Sequence, residues 1–487
     1  MNIDRPKLLN VILLSATLSS LFFYPLFSEL NDNILILQWR WINTVELFCA
    51  FLLISLLAGL AFYFIFKCKN AYIKLLILLT IASIPLMSFS VYFFKQLLDK
   101  GFIITTSRLL FNQYIISLFL ITIFFISMRY PRKIVRAVIL VLLVLSPINI
   151  LSFWSGIKAC SNDAVISMDD YKISKQGSSR NKPDDNILVI LFDELSYDYL
   201  YENGKIKREY ENFRNLSLIS DNYHNALSPG EATLTAIPGL IMGKRFEKIK
   251  MKYDQIYKIT EEQKVELLTI DSNNLFAYAK DAGYKTFCFG PYLNYCELFG
   301  KWLDGGRSFS VYNYGSLDKG FKLYNPIFTT IIILPRQFPY GIFKNPIYSL
   351  WQKGITEQSY ALTLDSIKSS NPFFVFFHFY PPHLPFTFNK NGYYKNSNPF
   401  LENYENYSKQ LDYIDKKLGN LIAELKKDGK FDNSTIVILS DHNFRIMFPE
   451  RKGMVPLIIK HKNQQVCNDI YDSVKPEGVL KKELFGL

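Results

Sequence analysis

The hydrophobic positions of the chain follow two different patterns, which change near residue 156. Before that point, apolar stretches approach the roughly 20 residues that a helix needs to cross a bilayer. There are five of them, at about residues 8–28, 46–66, 74–95, 109–128 and 134–154. No comparable stretch follows Trp154. The pattern predicts a five-helix transmembrane domain over residues 1–156 and a second domain over residues 157–487.

The charges in the short loops between these stretches predict their orientation. One set of loops is strongly basic and contains Arg5, Lys7, Lys67, Lys69, Lys74, Arg129, Arg132, Lys133 and Arg136. The opposite loops mix basic residues with acidic ones. The positive-inside rule places the basic set in the cytoplasm. Because the number of crossings is odd, the second domain is predicted outside the cytoplasm. No small-residue cleavage site follows the first stretch, so we interpret it as a retained helix.

The second domain alternates short runs of β-branched and aromatic residues with helical and loop segments. The runs cover residues 186–192, 284–289, 372–379, 434–440 and 455–460. This alternation predicts an α/β domain with a mainly parallel central sheet flanked by helices.

Carboxylates and imidazoles follow three of these runs. Asp193-Glu194 follows the first run, His378 and His383 belong to the third or come just after it, and Asp441-His442 follows the fourth. In open α/β sheets, ligands collect at the carboxyl ends of the strands. A divalent ion such as zinc accepts both nitrogen and oxygen donors. The arrangement therefore indicates a metal site.

Each of these residues taken alone also has a structural interpretation. Asp193 could cap a helix, His378 could be a core histidine, and Asp441 could be a turn residue. The joint placement of the histidines favours the metal site, because all five lie in the second domain and four lie at strand ends or just before a threonine-containing stretch. The five are His224, His378, His383, His442 and His461.

That stretch, "LSPGEATLTAIPGLIMGK" (227–244), places Thr233 and Thr235 before a short apolar run. A hydroxyl at a helix N-terminus lies where backbone N–H groups and the helix dipole favour an anion. A free hydroxyl is a weak nucleophile, and a nearby metal ion would activate it. Alternatively, a threonine here only caps the helix. Both interpretations predict the same local structure.

Four motifs carry a family resemblance: "NILVILFDELSYDYL", "TLTAIPGLIMG", "FVFFHFYPPHLPF" and "LDYIDKKLGNLIAELKKDGKFDNSTIVILSDHN". Their order and spacing resemble the sulfatase-like branch of the alkaline phosphatase superfamily. With the five apolar stretches, the chain resembles the membrane-anchored lipid A phosphoethanolamine transferases and lipoteichoic acid synthases. The resemblance covers essentially the whole chain.

The resemblance implies roles for individual residues. Thr233 would be the nucleophile and would contact the ion, with Thr235 as the fallback. Asp193, Asp441 and His442 would be the principal metal ligands, and Glu194 a further ligand or a neighbour of the ligands. His383 would contact the phosphoryl group or protonate the leaving group. His378, five residues before His383 as in the transferases, is a substrate-binding candidate. Arg445 and Lys452 are further candidates, because they could supply positive charge where the transferases have a later histidine that this chain lacks.

The chain also departs from the family pattern. Sulfatases need a Cys or Ser that is converted to formylglycine and is followed by Pro and Arg, and the residues around Thr233 offer none of these. Sulfate-ester hydrolysis by that route is therefore disfavoured. Asn443 replaces the glycine of the family's Asp-His-Gly, and the later histidine of the transferases is absent.

We therefore expect a membrane-embedded, metal-dependent transferase that moves a phospho-headgroup from a membrane lipid to an envelope glycan or lipid through a phospho-threonine. The alternatives are a phosphate- or sulfate-ester hydrolase with the same site and a non-catalytic envelope protein that retains the fold. Zinc is the expected cofactor, with manganese, magnesium or calcium as alternatives. The expected location is a bacterial inner membrane, with the catalytic domain in the periplasm.

Three further features bear on this hypothesis. The net charge of +12 suits a protein beside anionic lipid or polysaccharide, and no nucleic-acid partner is expected. Cys288 and Cys296 could form a disulfide or remain buried thiols. The apolar, proline-interrupted segment 325–352 is either a buried insertion or an element that rests on the outer leaflet.

Overall fold

The computed structural model describes most of the chain. The described residues are 8–37, 41–81, 129–144, 146, 183–252, 255–259, 265–309, 326–327, 330, 346–394, 403–444 and 453–487. The chain divides into two compact units, Met1–Val165 with Ser316–Phe343, and Ile166–Gly315 with Lys344–Leu487. The predicted boundary at residue 156 stays a prediction.

The described part of the first unit is mostly helical. Its helices are α1 (Leu8–Leu37), α2 (Trp41–Lys67), α3 (Ala71–Ile81) and α4 (131–144). Buried side chains from all four segments form one cluster, which includes Leu18, Phe62, Leu78 and Ile139. Helices α1 and α2 approach closely at small residues, where the Ser55 hydroxyl donates to Ser19 Oγ at 2.9 Å.

Within the described residues, one helix, Thr44–Lys67, is long and apolar enough to cross a membrane by length and composition. Helix α1 continues beyond its predicted end at residue 28, to Leu37. The predicted helix 109–128 lies outside the described residues, as do the later parts of 74–95 and 134–154. The five-helix bundle therefore stays a prediction.

The second unit is built on an eight-stranded sheet. Its strands are β1 (Asn186–Phe192), β4 (Asp221–Leu227), β8 (Lys285–Pro291), β9 (Gly305–Phe309), β10 (Phe373–Phe379), β13 (Ser434–Ser440), β14 (Met454–Lys460) and β15 (Asn468–Val474). Their order across the sheet is β15-β4-β14-β13-β1-β10-β8-β9. The five strands from β13 to β9 in this order run parallel to one another. The predicted α/β domain with a mostly parallel sheet is confirmed.

The three central strands, β1, β10 and β13, are buried along their whole length. Parallel strands covered on both faces have continuous apolar sequences. This explains why the sequence predicts them well.

Other strands differ from the prediction. The run at 455–460 forms β14, but it pairs antiparallel with both β13 and β4. Strands β4, β9 and β15 are not predicted, because "DNYHNAL", "GGRSF" and "NDIYDSV" lack an apolar run. Strand β15 is largely exposed, so burial places no demand on its composition.

Short strands and eight helices complete this unit among the described residues. The short strands are β2 (Tyr201–Glu202), β3 (Lys205–Ile206), β5 (Ile249–Lys252), β6 (Gln255–Ile259), β7 (Val265–Leu267), β11 (Phe388–Asn389) and β12 (Gly392–Tyr393). The helices are α5 (Tyr197–Leu200), α6 (Glu211–Ser217), α7 (Thr233–Met242), α8 (Leu275–Ala282), α9 (Tyr295–Phe299), α10 (Pro346–Ser369), α11 (Tyr404–Lys427) and α12 (Pro476–Phe485).

Helix α11 packs against α6 and, through Tyr413, against Phe379 of β10. It begins at the cap residue Asn403, whose side-chain oxygen accepts from Asn406 N–H at 2.8 Å. The carboxylate of Asp415 accepts from Phe213 N–H at 2.9 Å and from the Asn212 amide at 2.8 Å. These bonds fix α11 against the start of α6.

Candidate active site

The loop after β1 carries two carboxylates at the end of a buried strand. Asp193 is fully buried, and its N–H donates to Phe379 O of β10 at 3.1 Å. Glu194 has a φ of 63°, in the left-handed region that non-glycine residues rarely occupy. Its N–H donates to Asp441 Oδ1 at 3.1 Å. The loops after β1 and β13 are therefore bonded to each other.

The loop after β13 carries Asp441 and His442. Asp441 Oδ1 also accepts from His442 N–H at 2.8 Å, and Oδ2 accepts from the Thr233 hydroxyl at 2.7 Å. His442 Nδ1 lies 3.1 Å from Asn443 O, which can only accept, so Nδ1 carries the proton. His442 Nε2 keeps its lone pair and lies 3.3 Å from Thr233 Oγ1.

The two threonines have different surroundings at the start of α7. Thr235 Oγ1 lies 2.9 Å from Ala232 O and 3.4 Å from Ala232 N, so it secures the first turn of the helix. Thr233 is the first helical residue, and its hydroxyl points to Asp441 and His442. The capping interpretation thus fits Thr235, and the reactive interpretation fits Thr233.

His378 lies in β10 and is fully buried. Its Nδ1 is 2.8 Å from the Tyr295 hydroxyl, and its Nε2 is 3.4 Å from Asp193 Oδ2. Burial lowers the pKa of His378 to about 4, so the ring is neutral at neutral pH. On the neighbouring strand, a Cβ at Gly290 would lie 2.5 Å from His378 Cβ, so only glycine lets β8 pass this close.

His383 lies in the loop after β10 and is partly buried. Its Nδ1 donates to Leu384 O at 2.6 Å, and its Nε2 lies 4.0 Å from Glu194 Oε1. The rings of Tyr380 and Tyr292 pack beside it, with centroids at 5.2 Å and 6.0 Å. Tyr292 has a φ of 66°, a second left-handed residue near the site.

The group formed by Asp193, Asp441 and His442 fits a divalent cation. One potential ligand atom from each residue lies within 4.8 Å of the other two, and all three residues are buried. Both Asp193 carboxylate oxygens and His378 Nε2 are buried without a hydrogen-bond partner. Such orphaned atoms are costly unless a ligand satisfies them.

The electrostatics support the same conclusion. Burial, and then the negative charge of Asp441, raise the pKa of Asp193 well above its ordinary value. Burial opposes ionisation of Asp441 too, but the positive charge of His442 and His378 when these rings are protonated, and the hydrogen bonds from Glu194 N–H and the Thr233 hydroxyl, lower the pKa of Asp441. Two adjacent buried carboxylates cannot both be charged without a compensating cation.

The structure does not place every predicted residue at the site. Arg445 and Lys452 are outside the described residues. His224 does not join the cluster: its Nδ1 is 2.6 Å from the Tyr197 hydroxyl of α5, and its Nε2 is 3.0 Å from Asp469 Oδ1 of β15. Its position just before the threonine stretch is misleading because it lies in the middle of β4. Cys288 and Cys296 are both buried and are not joined in a disulfide.

A partly buried hydroxyl beside buried imidazole and carboxylate groups, at the carboxyl ends of parallel strands, is typical of a metal-dependent enzyme that cleaves or transfers an ester group. The family model described as Sulfatase matches residues 185–465, which is more than half of the chain. The chain belongs to the sulfatase family, as its four motifs predict. No curated protein matches it.

Solved structures are similar to the chain at low sequence identity. Ps i-CgsB has 16% identity and a TM-score of 0.42, with 62% of this chain and 72% of that chain covered. The phosphonate monoester hydrolase of Agrobacterium radiobacter has 14% identity and a TM-score of 0.39, with 62% of this chain and 74% of that chain covered. The lipoteichoic acid synthase LtaP of Listeria monocytogenes has 12% identity and a TM-score of 0.39, with 65% of this chain and 76% of that chain covered. Because these TM-scores are below 0.5, the family assignment rests on the match over residues 185–465.

Proposed function

We propose that the protein is a membrane-embedded, metal-dependent transferase that moves a phospho-headgroup from a membrane lipid to a glycan or lipid of the cell envelope. The observation that carries this proposal is the Thr233 hydroxyl, at the N-terminus of α7 and 2.7 Å from Asp441 Oδ2. A nucleophile in that position faces an incoming anion with the positive end of the helix. The apolar helix Thr44–Lys67 supports a lipid donor.

In the first half-reaction, Thr233 Oγ1 attacks the phosphorus of a donor such as phosphatidylethanolamine or phosphatidylglycerol. The Oγ1–P bond forms as the bond from phosphorus to the diacylglycerol oxygen breaks. Asp441 Oδ2 accepts the hydrogen bond of the threonine hydroxyl and so receives its proton. Asp193, Asp441 and His442 would hold a divalent ion, and their mixed nitrogen and oxygen donors suit zinc. The ion would neutralise negative charge and lower the pKa of the threonine hydroxyl.

His383 is suited to move a proton to the leaving diacylglycerol oxygen. Its Nδ1–H is held by Leu384 O, so its Nε2 is the atom that takes up and delivers a proton. In the second half-reaction an acceptor hydroxyl attacks the phosphorus. The proton of the acceptor hydroxyl passes to His383 Nε2, the acceptor O–P bond forms as the Oγ1–P bond breaks, and Asp441 returns the first proton to Thr233 Oγ1.

Hydrolysis is the second candidate, and the match to the Sulfatase model favours it. In this reaction water replaces the acceptor hydroxyl. The threonine at 233 opposes the formylglycine form of the reaction, because threonine is not the Cys or Ser precursor. Family membership does not support the non-catalytic alternative, which we do not retain.

The test is peptide mass spectrometry of the full chain, purified in detergent from cells that contain the donor lipid. We expect a headgroup-phosphate adduct on the peptide that contains Thr233, present in Thr235→Ala and absent in Thr233→Ala. A Thr233→Ala variant that still transfers headgroup would overturn the proposal. Free headgroup phosphate without a modified acceptor would identify the protein as a hydrolase.

Metal dependence is tested by chelation. A ligand that binds only the folded state at 100 times its Kd stabilises that state by about 2.7 kcal/mol. We therefore expect chelation to lower the unfolding temperature and zinc to restore it. The Asp441→Asn variant should show neither effect. If chelation leaves the unfolding temperature of the wild type unchanged, the metal assignment is wrong.

A further inference from the structure

Tyr407 of α11 contacts both loops that carry the candidate metal ligands. The side chain is fully buried. Its hydroxyl donates to Glu194 O at 2.7 Å and accepts from Ser196 N–H at 2.9 Å, in the loop after β1. Its ring stacks on Phe444, with centroids 4.5 Å apart and planes at 23°, in the loop after β13. The Tyr407 side chain thus contacts both the loop that contains Asp193 and the loop that contains Asp441.

The hydroxyl bridges two backbone groups of the turn that follows β1. Glu194 is held at a φ of 63°, a conformation that costs about 1–3 kcal/mol for a non-glycine residue and persists only where its surroundings impose it. The carbonyl of Glu194 and the N–H of Ser196 both use the Tyr407 hydroxyl as their partner. Since the turn begins at Asp193, its closure fixes where the carboxylates of residues 193 and 194 point.

The ring acts on the other loop. Phe444 follows Asp441 by three residues and is almost fully buried. Its ring packs between Tyr407 and the edge of Phe386, whose centroid lies 6.3 Å away. Packing on a ring that is itself anchored by two hydrogen bonds restricts the backbone that leads from the Asp441-His442 pair.

We propose that Tyr407 is a positioning residue that sets the separation between Asp193 on one side and Asp441 and His442 on the other. This inference rests on the metal site of the proposed function. The two parts of the side chain act on different loops, because the hydroxyl holds the loop after β1 and the ring holds the loop after β13. Tyr407 itself lies outside the group of ligands and is not a catalytic residue.

The first test is Tyr407→Phe in the full chain, which removes one oxygen and keeps the ring. Partners that orient ligands typically change metal affinity about 10- to 100-fold when they are lost, so we expect zinc binding to weaken within that range in a chelator competition. In the metal-free protein, the Ser196 amide should exchange its hydrogen faster, because it has lost its acceptor. The matched control is Tyr413→Phe, the same atomic change at a buried ring on the same helix that stacks on Phe388.

Tyr413→Phe is expected to leave both zinc affinity and Ser196 exchange at wild-type values. The second variant, Phe444→Leu, removes the stack and keeps the hydroxyl. It should weaken zinc binding without accelerating Ser196 exchange, and it keeps the proposal testable if Tyr407→Phe does not fold.

Wild-type zinc affinity in a folded Tyr407→Phe protein would overturn the proposal. If the wild-type chain itself binds no zinc, the proposed metal-dependent function is wrong. In that case hydrogen exchange of the Ser196 amide still tests whether the hydroxyl holds the turn. Faster exchange in Tyr407→Phe supports the positioning role, and unchanged exchange contradicts it.

Discussion

The three histidines of the candidate site use their ring nitrogens in the same way. In each, Nδ1 contacts a partner outside the cluster: Asn443 O for His442, Leu384 O for His383 and the Tyr295 hydroxyl for His378. In each, Nε2 is turned toward a carboxylate of the site. The carbonyl partners fix the tautomer of two of the rings, so Nε2 is the atom available for a ligand or a proton.

The depressed pKa of His378 predicts a pH dependence of stability for the metal-free protein. The ordinary pKa is 6.5, and burial lowers it to about 4 in the folded state. Above pH 6.5 both states are neutral, and as the pH falls toward 4 the unfolded state binds the proton first. The free energy of unfolding should therefore fall by about 3 kcal/mol over this range.

Denaturant titrations between pH 7 and pH 4 measure this effect. The His378→Gln variant has no group that titrates at this position, so its free energy of unfolding should fall less steeply. Parallel slopes for the wild type and His378→Gln would show that His378 does not contribute to acid sensitivity.

Gly290 predicts a steric effect at the same histidine. In Gly290→Ala the new methyl group would lie 2.5 Å from His378 Cβ, so the strands must move apart. Overpacking of this kind costs about 1–3 kcal/mol. The control is Gly478→Ala in α12, where the added Cβ meets nothing within 4 Å and should stabilise the helix slightly. Equal unfolding temperatures for the two variants would contradict this account.

Sequence reasoning reaches some of these residues and misses others for physical reasons. Asp193 and Asp441 can be found because they directly follow apolar runs. Thr233 and Thr235 cannot be ranked by the local pattern, because only contacts with the distant β13 loop distinguish them. Tyr407 gives no signal, since it is one of several aromatic residues on the buried face of an amphipathic helix.

At the scale of elements, a lysine completes the C-terminus of α10. Lys430 Nζ donates to the carbonyls of Ile367 at 2.5 Å, Lys368 at 3.1 Å and Ser370 at 3.2 Å. These carbonyls lie at the negative end of the helix, where they have no intrahelical donor. The contact also ties α10 to the turn that leads from α11 into β13.

Lys430→Met is expected to lower the free energy of unfolding by about 2 kcal/mol, because charge-assisted hydrogen bonds to the carbonyls at the end of α10 are lost. Lys427→Met, at an exposed position in the last turn of α11, is the control and should change it by less than about 0.5 kcal/mol. Both are measured by denaturant unfolding. A neutral result for Lys430→Met would show that water replaces the lysine at these carbonyls.

The direction of β14 shows what an apolar pattern leaves open. The run at 455–460 is as apolar as the parallel strands, but hydrophobic periodicity does not encode strand direction. A parallel neighbour of β13 needs a crossover of a dozen or more residues, usually with a helix. The connection from Ser440 to Met454 carries the Asp441-His442 pair at its start, and β14 returns beside β13 in the opposite direction.

At the scale of the whole molecule, two natural cysteines can report the orientation of the chain. Cys467 is exposed just before β15, and Cys68 is partly exposed between α2 and α3. The charge pattern predicts that residues 67–74 are cytoplasmic and that the unit with the active site is on the other side. The two thiols should therefore lie on opposite sides of the membrane.

Variants that retain only one of these two cysteines should differ in their reactivity with a membrane-impermeant maleimide. We expect Cys467 to be labelled in cells with a permeabilised outer envelope, and Cys68 only after the inner membrane is disrupted. The reverse pattern would place the active site in the cytoplasm, and labelling of both thiols in intact cells would contradict the predicted number of crossings.

The left-handed backbone of Glu194 has a consequence for selecting variants of this protein. Glycine adopts a φ of 63° without steric penalty, and asparagine does so more readily than glutamate. Either residue at position 194 should relieve local strain and raise heat resistance, while it removes a carboxylate from the site. A screen that scores folding alone would therefore collect changes at position 194 as improvements, and the best survivors of heating would include molecules with an altered site.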